Sequence, residues 1–319
     1  MEQEETLLQS LSGFKPVFRR YFLSDRLQAA AFPARQGAVS FIVQPPLDGS
    51  TVAGWVYLVK DAEVEYGQSI TIVRTGGCEF LWTAGLLCGH DDPERQSREI
   101  LETYSKTLLA KGMTLADNCV RTWFFVHDID SNYAAMVKAR RENFVSEGLT
   151  KDTHYIASTG ICGTPCLEGS VVQMDAVAMK GDFKQSYLYA PTHLNPTYEY
   201  GVTFERGVKV ECNGRSTVYI SGTASINNRG EVVHVGDVLA QTGRMLENVE
   251  VLLSEAGTTW KDVRMALVYL RNAEDYAGVA PVIAERLPGV PYVILLAPVC
   301  RPDWLIEMEC IAGPGIQEI

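Results

Sequence analysis

Residues 120–133 (Val-Arg-Thr-Trp-Phe-Phe-Val-His-Asp-Ile-Asp-Ser-Asn-Tyr) lie without a gap over residues 263–276 (Val-Arg-Met-Ala-Leu-Val-Tyr-Leu-Arg-Asn-Ala-Glu-Asp-Tyr). Both runs begin apolar and β-rich and end in an Asp/Asn-rich turn, the pattern of a strand leading into a helix. A helical pattern ending at a glycine precedes each, at 100–112 and 245–257, and a closing strand follows each, at 171–178 and 305–312. The chain is therefore expected to fold as two copies of one unit. Each copy reads strand, helix, strand, helix, strand, which is an α+β mixed sheet with helices packed on one face. The opposite sheet face must then be buried by something else. The modules are placed at 46–190 and 191–319, after an N-terminal extension at 1–45, with a polar, Pro-containing connector near 189–197.

The second copy carries the sharper local signals. Asp237 can cap a helix, since its carboxylate accepts orphan N–H groups and favours the positive dipole end. Met245, Val249, Leu252 and Leu253 make the apolar stripe of that helix, and Ala256-Gly257 ends it. In the last strand Ile306, Met308, Cys310 and Ala312 alternate with Glu307 and Glu309, so two carboxylates share a face. Gln173 and Asp175 stand opposite them in the first copy. Glutamine cannot serve as an acid, so the first module is expected to be a degenerate scaffold and the second to carry the site.

A net charge of −11 argues against a general nucleic-acid surface, so an anionic ligand must be held by local arginines and N–H groups. No apolar run reaches a membrane span, and the acidic start at residues 1–5 is unlike a signal peptide. The eight cysteines are scattered without a Cys-x-x-Cys pair, several in apolar strand patterns. A reduced, cytoplasmic protein without disulfides is expected. Cys88-Gly-His-Asp91 and Cys162-Gly-Thr-Pro-Cys166 lack a second ligand pair at zinc spacing, and Gly160-Ile-Cys-Gly163 lacks the lysine of a phosphate loop. Neither metal nor cofactor is expected.

The helix from Gly236, the strand at 220–226 (Ile-Ser-Gly-Thr-Ala-Ser-Ile) and the close at 306–312 (Ile-Glu-Met-Glu-Cys-Ile-Ala) resemble the Rid (YjgF/YER057c/UK114) superfamily. That resemblance implies two tandem chorismate-mutase-like modules, trimeric assembly and ligand sites at subunit junctions. A narrower similarity, to the chorismatases, rests on Tyr200-Gly201, Arg206-Gly207, Ser221 to Ile226 and Val299-Cys-Arg-Pro-Asp-Trp-Leu-Ile-Glu307. Val120 to Trp123, Arg140 to Phe144 and Ala157 to Ile161 extend it into the first half. It implies release of pyruvate from chorismate or a related enolpyruvyl compound, with Glu307 as general acid. A cysteine at the position of Cys300 marks the members that form 3-hydroxybenzoate instead of a dihydrodiol. Two positions depart from the related patterns: Val293 replaces the arginine with which Rid imine deaminases clamp a carboxylate, and Ala280 stands where chorismatases are expected to carry another arginine. The alternatives are a Rid-type imine or enamine deaminase and a non-catalytic metabolite-binding protein.

Chemistry at these residues has requirements. A proton donor near neutral pH needs burial or a like charge beside it, whereas most strand glutamates face water. Cys300 becomes reactive only if a nearby cation lowers its pKa. Arg206, Arg301 and Arg121 are candidate bidentate clamps for carboxylates. Gly222, Thr223, Ala224 and Ser225 either offer N–H groups and hydroxyls to an anion or mark a β-bulge. Tyr200 bonds the ligand or caps the module. The expected partners are a small anionic metabolite and, through the open sheet faces, two further copies of the chain in a homotrimer.

Overall fold

A computed structural model describes residues 2–89 and 92–313. Helix α1 (Glu2–Ser10) leads into β1 (Phe14–Leu23), which runs parallel to β2 (Ala38–Val43) and antiparallel to β3 (Val52–Lys60). The first module follows with β4 (Glu63–Tyr66), β5 (Ile70–Thr75), β6 (Cys78–Leu87), α2 (Pro93–Ala110) and the one-turn α3 (Leu115–Asn118). It continues through β7 (Cys119–Val126), α4 (Ile129–Ser146), β8 (Ala157–Cys162), the two-residue β9 (Thr164–Pro165) and β10 (Val172–Gly181). The second module is β11 (Phe183–Leu188), β12 (Gly207–Cys212), β13 (Arg215–Ala224), α5 (Val238–Glu255), β14 (Val263–Leu270), α6 (Tyr276–Arg286), β15 (Tyr292–Leu296) and β16 (Ile306–Ala312).

The duplication is complete at the level of topology. The sheets run β4-β5-β6-β10-β7-β8 and β11-β12-β13-β16-β14-β15. In each, the closing strand inserts antiparallel between its third and fourth strands, and the fifth lies parallel to the fourth. Only β9 departs, leaving the first module to pair with β2. The sheets do not respect the sequence-based boundaries. The N-terminal sheet runs on to Lys60, past residue 45, and the second sheet takes in β11, before residue 191.

Local chemistry places the helices. Asp237 Oδ1 accepts the Ala240 N–H at 3.0 Å, and Met245, Val249, Leu252 and Leu253 are fully buried. Gly257 ends the α5 region at φ +75°, a conformation that favours glycine. In the first module Asp92 caps α2 at Arg95 N, and Ile100, Leu101, Tyr104 and Leu108 pack with Met136 and Phe144 of α4. Each module's helices thus cover one face of its sheet.

The other faces meet inside the chain. Phe18 of β1 packs on Trp55, Trp82 and Trp123 at ring separations of 4.9, 5.2 and 6.2 Å. Arg20 Nε donates to Asp175 at 2.9 Å, and its guanidinium lies 4.8–5.1 Å from the rings of Phe18, Trp55, Trp123 and Phe125. Arg121 of β7 pairs with Glu309 of β16. Backbone bonds close all three seams. Gly37 N–H reaches Gly67 O at 2.8 Å, Glu205 N–H reaches Ile156 O at 3.0 Å, and Leu47 N–H reaches Ile294 O at 3.0 Å. Three sheets therefore form a ring within one chain, the N-terminal sheet holding the third place. The homotrimer expected above rested on open sheet faces, and these are filled by the chain's own strands.

One expectation from the cysteines is overturned. Cys78 and Cys212, 134 residues apart, are joined as a disulfide; Cys88, Cys119, Cys162, Cys166, Cys300 and Cys310 are free. Spacing could not show this, because the pair forms where turns of two modules meet: a Cβ on Gly76 would touch the Asn213 side chain at 2.8 Å. His90 and Asp91 of the segment weighed for metal lie outside the described residues. No helix among the described residues is long and apolar enough to cross a membrane.

Candidate active site between the modules

The seam between the two modules holds a cavity of about 310 Å³. Helix α4 contributes Tyr133, Val137 and Arg140, and β8 contributes Ser158, Thr159 and Gly160. The second module supplies Tyr200, Phe204 and Arg206 from the approach to β12, Gly222 and Ala224 from β13, and Cys300, Arg301, Trp304 and Glu307 from the entry to β16. Nine of the twenty-one residues of the wall belong to the first module. Its reading as a scaffold alone is corrected: it lost the carboxylate at Gln173 but lends a helix face and a strand edge to its neighbour's site.

Glu307 is 5% exposed, and its carboxyl lies on the backbone of Gly222, where a Cβ would stand 2.3 Å from Oε1. Gly222 occurs where the β13–β16 register shifts between Ile220 and Thr223, so the strand is bulged as well as small here. Its N–H donates to Thr159 Oγ1 at 2.9 Å, tying the floor to the first module. Burial, reinforced by Glu309, raises the Glu307 pKa to about 8, although Arg121 and Arg206 pull the other way. The carboxyl is therefore held as a neutral acid at neutral pH. Gly222→Ala should push this carboxyl out of place. We expect stability to fall by about 1–3 kcal/mol, read by thermal unfolding; an unchanged melt would refute the contact.

Arg140 is the clearest ligand-seeking group. It is 1% exposed and interacts with the Tyr133 hydroxyl, yet its Nε and Nη2 have no hydrogen-bond partner among the described residues. An unsatisfied buried guanidinium is costly unless an anion arrives to meet it. Arg206 spends its fork on Asn195, at 2.9 Å to the carbonyl and 3.2 Å to Oδ1, and lies 5.3 Å from the Tyr200 ring. Arg301 covers the other rings of the wall, 4.6 Å from Tyr200 and 5.0 Å from Trp304. Tyr200 thus positions two guanidiniums.

Not every expected residue reaches the cavity. Arg121 is 1% exposed and does not line it; it pairs with Glu309 beneath the floor, so its reading as a substrate clamp is corrected. The Thr223 hydroxyl donates to Ser221 O at 2.9 Å and that of Ser225 to Val233 O at 2.8 Å, so both serve the backbone, leaving Gly222 and Ala224 as wall. Cys300 faces the site, but burial and then Glu307 push its thiol up to about 12, so Arg301 and Arg140 do not make a thiolate of it. Arg140, Tyr133 and Thr159 went unassigned. A signal for the first existed: Ile129, Tyr133, Met136, Val137 and Phe144 make an apolar helix face that Arg140 interrupts.

Comparison with known proteins agrees with this architecture. Residues 204–313 match the family model described as Endoribonuclease L-PSP. Over 98 residues the chain is 39% identical to the 3-aminoacrylate deaminase RutC of Acinetobacter baylyi, spanning 77% of that protein and 30% of this one. It is 26% identical over 277 residues to a 3-hydroxybenzoate synthase of Streptomyces hygroscopicus, covering 79% of each chain. A crystal structure of a chorismatase at 1.08 Å shares the fold, with a TM-score of 0.75 and 19% identity over 93% of this chain and 92% of that one. The chain belongs to the Rid (YjgF/YER057c/UK114) superfamily. Within it, the two-module chain with its N-terminal sheet has the whole-chain fold of that chorismatase structure.

Proposed function

We propose that the protein is an enzyme of the chorismatase type, releasing pyruvate from chorismate or a closely related enolpyruvyl dicarboxylate. One observation carries the reading: a buried carboxyl at Glu307, its pKa raised to about 8, lines the same cavity as Arg140, Arg206 and Arg301. Three cations and one proton donor suit a dianion that must be protonated on carbon. Arg140 meets one carboxylate; Arg301, braced on Tyr200, meets the other, and Arg206, its fork held by Asn195, adds positive charge beside it. Glu307 gives its proton to the methylene carbon of the enol ether, whose electrons come from the ether oxygen. The resulting oxocarbenium ion is discharged by cleavage of the bond between that oxygen and the ring carbon, or by addition of water. Addition of water releases pyruvate and a ring dihydrodiol. Loss of a ring proton instead gives pyruvate and a hydroxybenzoate with no net water. Cys300, a neutral thiol beside Glu307, biases the outcome toward the hydroxybenzoate.

Incubation with chorismate tests this, with pyruvate followed by a coupled reductase and aromatic product by chromatography. Pyruvate from the wild type and none from Glu307→Gln is the expected result. The similarity to RutC keeps a deaminase reading in play, and release of ammonia from an iminoacid in the parallel assay would favour it. The closed ring of sheets also predicts the oligomer. We expect a monomer near 35.2 kDa by light scattering, and a species of three times that mass would overturn the argument from filled faces.

A further inference from the structure

Beneath the cavity floor lies a second polar cluster to which the reaction above assigns nothing. Glu309 stands two residues along β16 from Glu307, on the same face. It accepts from Trp123 Nε1 at 3.0 Å to both oxygens, from Tyr269 Oη at 3.0 Å, and from Arg121 and Thr159. Three of these donors, Arg121, Trp123 and Thr159, come from the first module. Its four donors include the Arg121 guanidinium, which forms an ion pair with it away from water.

We propose that Glu309, pinned by Arg121, is a positioning residue for the reaction: its fixed negative charge keeps the proton on Glu307, so the first module controls an acid carried by the second. The proposal rests on Glu307 being the general acid. Like charges along one strand face disfavour ionising both, most of all away from water. The other groups around Glu307 are Arg121 on β7, Arg206 before β12, Tyr269 on β14, Tyr133 and Arg140 on α4, and Cys300 and Arg301 before β16. Of these, Arg121 and Arg206 oppose Glu309, whose influence is larger than that of either arginine alone, and burial outweighs all three. Tyr133, Tyr269 and Cys300 are held neutral by burial at physiological pH. Glu309 is thus the nearest anion whose removal leaves the cations unopposed.

The test uses the full chain with 13C-labelled glutamate carboxyls, the Glu307 resonance being assigned by its loss in Glu307→Gln. Glu309→Gln should lower the Glu307 midpoint by about 1–2 pH units, the size of one unscreened charge at this spacing. The double variant Arg121→Met/Glu309→Gln should lower it by less, because an opposing cation has gone too. It also carries the test if the single variant, with Arg121 left unpaired, fails to fold. The alkaline limb of the pH–rate profile with chorismate should move in step. An unchanged Glu307 midpoint in the folded variants, or a midpoint that rises, would overturn the proposal. Midpoints that shift in the expected order while the rate profile stays put would uphold the electrostatic pairing and sink the assignment of Glu307 as the acid.

Discussion

Replacing Glu307 by glutamine is expected to cut pyruvate release from chorismate by about 10²–10⁴-fold, the usual weight of a positioned general acid. The substitution keeps the shape that lies on Gly222 and removes only the proton that can leave. Binding should survive, so the loss belongs in kcat. The same variant should change how stability depends on pH. Glu307 has a folded value of about 8 against an ordinary 4.5, raised by burial and by Glu309. An acid raised in this way contributes stability that is fully present below about pH 4.5 and is lost as the pH climbs to 8, each pK unit being worth about 1.4 kcal/mol. Glutamine never ionises. The variant should therefore gain on the wild type between pH 5 and pH 8, and the difference should level off above that. Urea unfolding across this range measures it; parallel profiles would show that Glu307 ionises freely in the folded protein.

Arg140→Met should do two opposite things. Without this guanidinium one carboxylate of the substrate loses its partner, and kcat/KM should fall by about 10²–10³, mostly through KM. The ligand-free protein should become more stable by about 1–3 kcal/mol, because a buried cation with unsatisfied N–H groups gives way to an apolar side chain of similar length. Thermal melts with and without a dicarboxylate substrate analogue separate the two effects. The wild type should be stabilised by ligand and the variant should not, although it starts higher. A variant that melts lower and keeps its KM would show that Arg140 is spent on the fold.

The two catalytic expectations came from different depths of the sequence. The pairing of Glu307 with Glu309 follows from the two-residue period of a strand, which fixes the face of each side chain. The Asp237 cap, the stripe of α5 and the matching halves were legible for the same reason, since each depends on neighbours within a few residues or on repetition of one pattern. Arg140 was legible only as an interruption of a helix face. That signal is ambiguous, because a charged residue on such a face either snorkels to water or waits for a ligand. Arg121 was misassigned because an arginine in a strand has no local mark of whether its partner is a substrate or Glu309, 188 residues away.

The amino-acid order thus determined the units: two copies of one α+β module, the helix caps, the face of each strand, and a carboxylate retained in one copy where the other has Gln173. Only the tertiary structure decided how those units close. It seats the N-terminal sheet in the third place of the ring, joins Cys78 to Cys212, and brings α4 and β8 of the first module against Glu307. The physical reason is range. Periodicity and capping act over a few residues, whereas burial, charge pairing and the pKa they impose depend on which distant surfaces exclude water together.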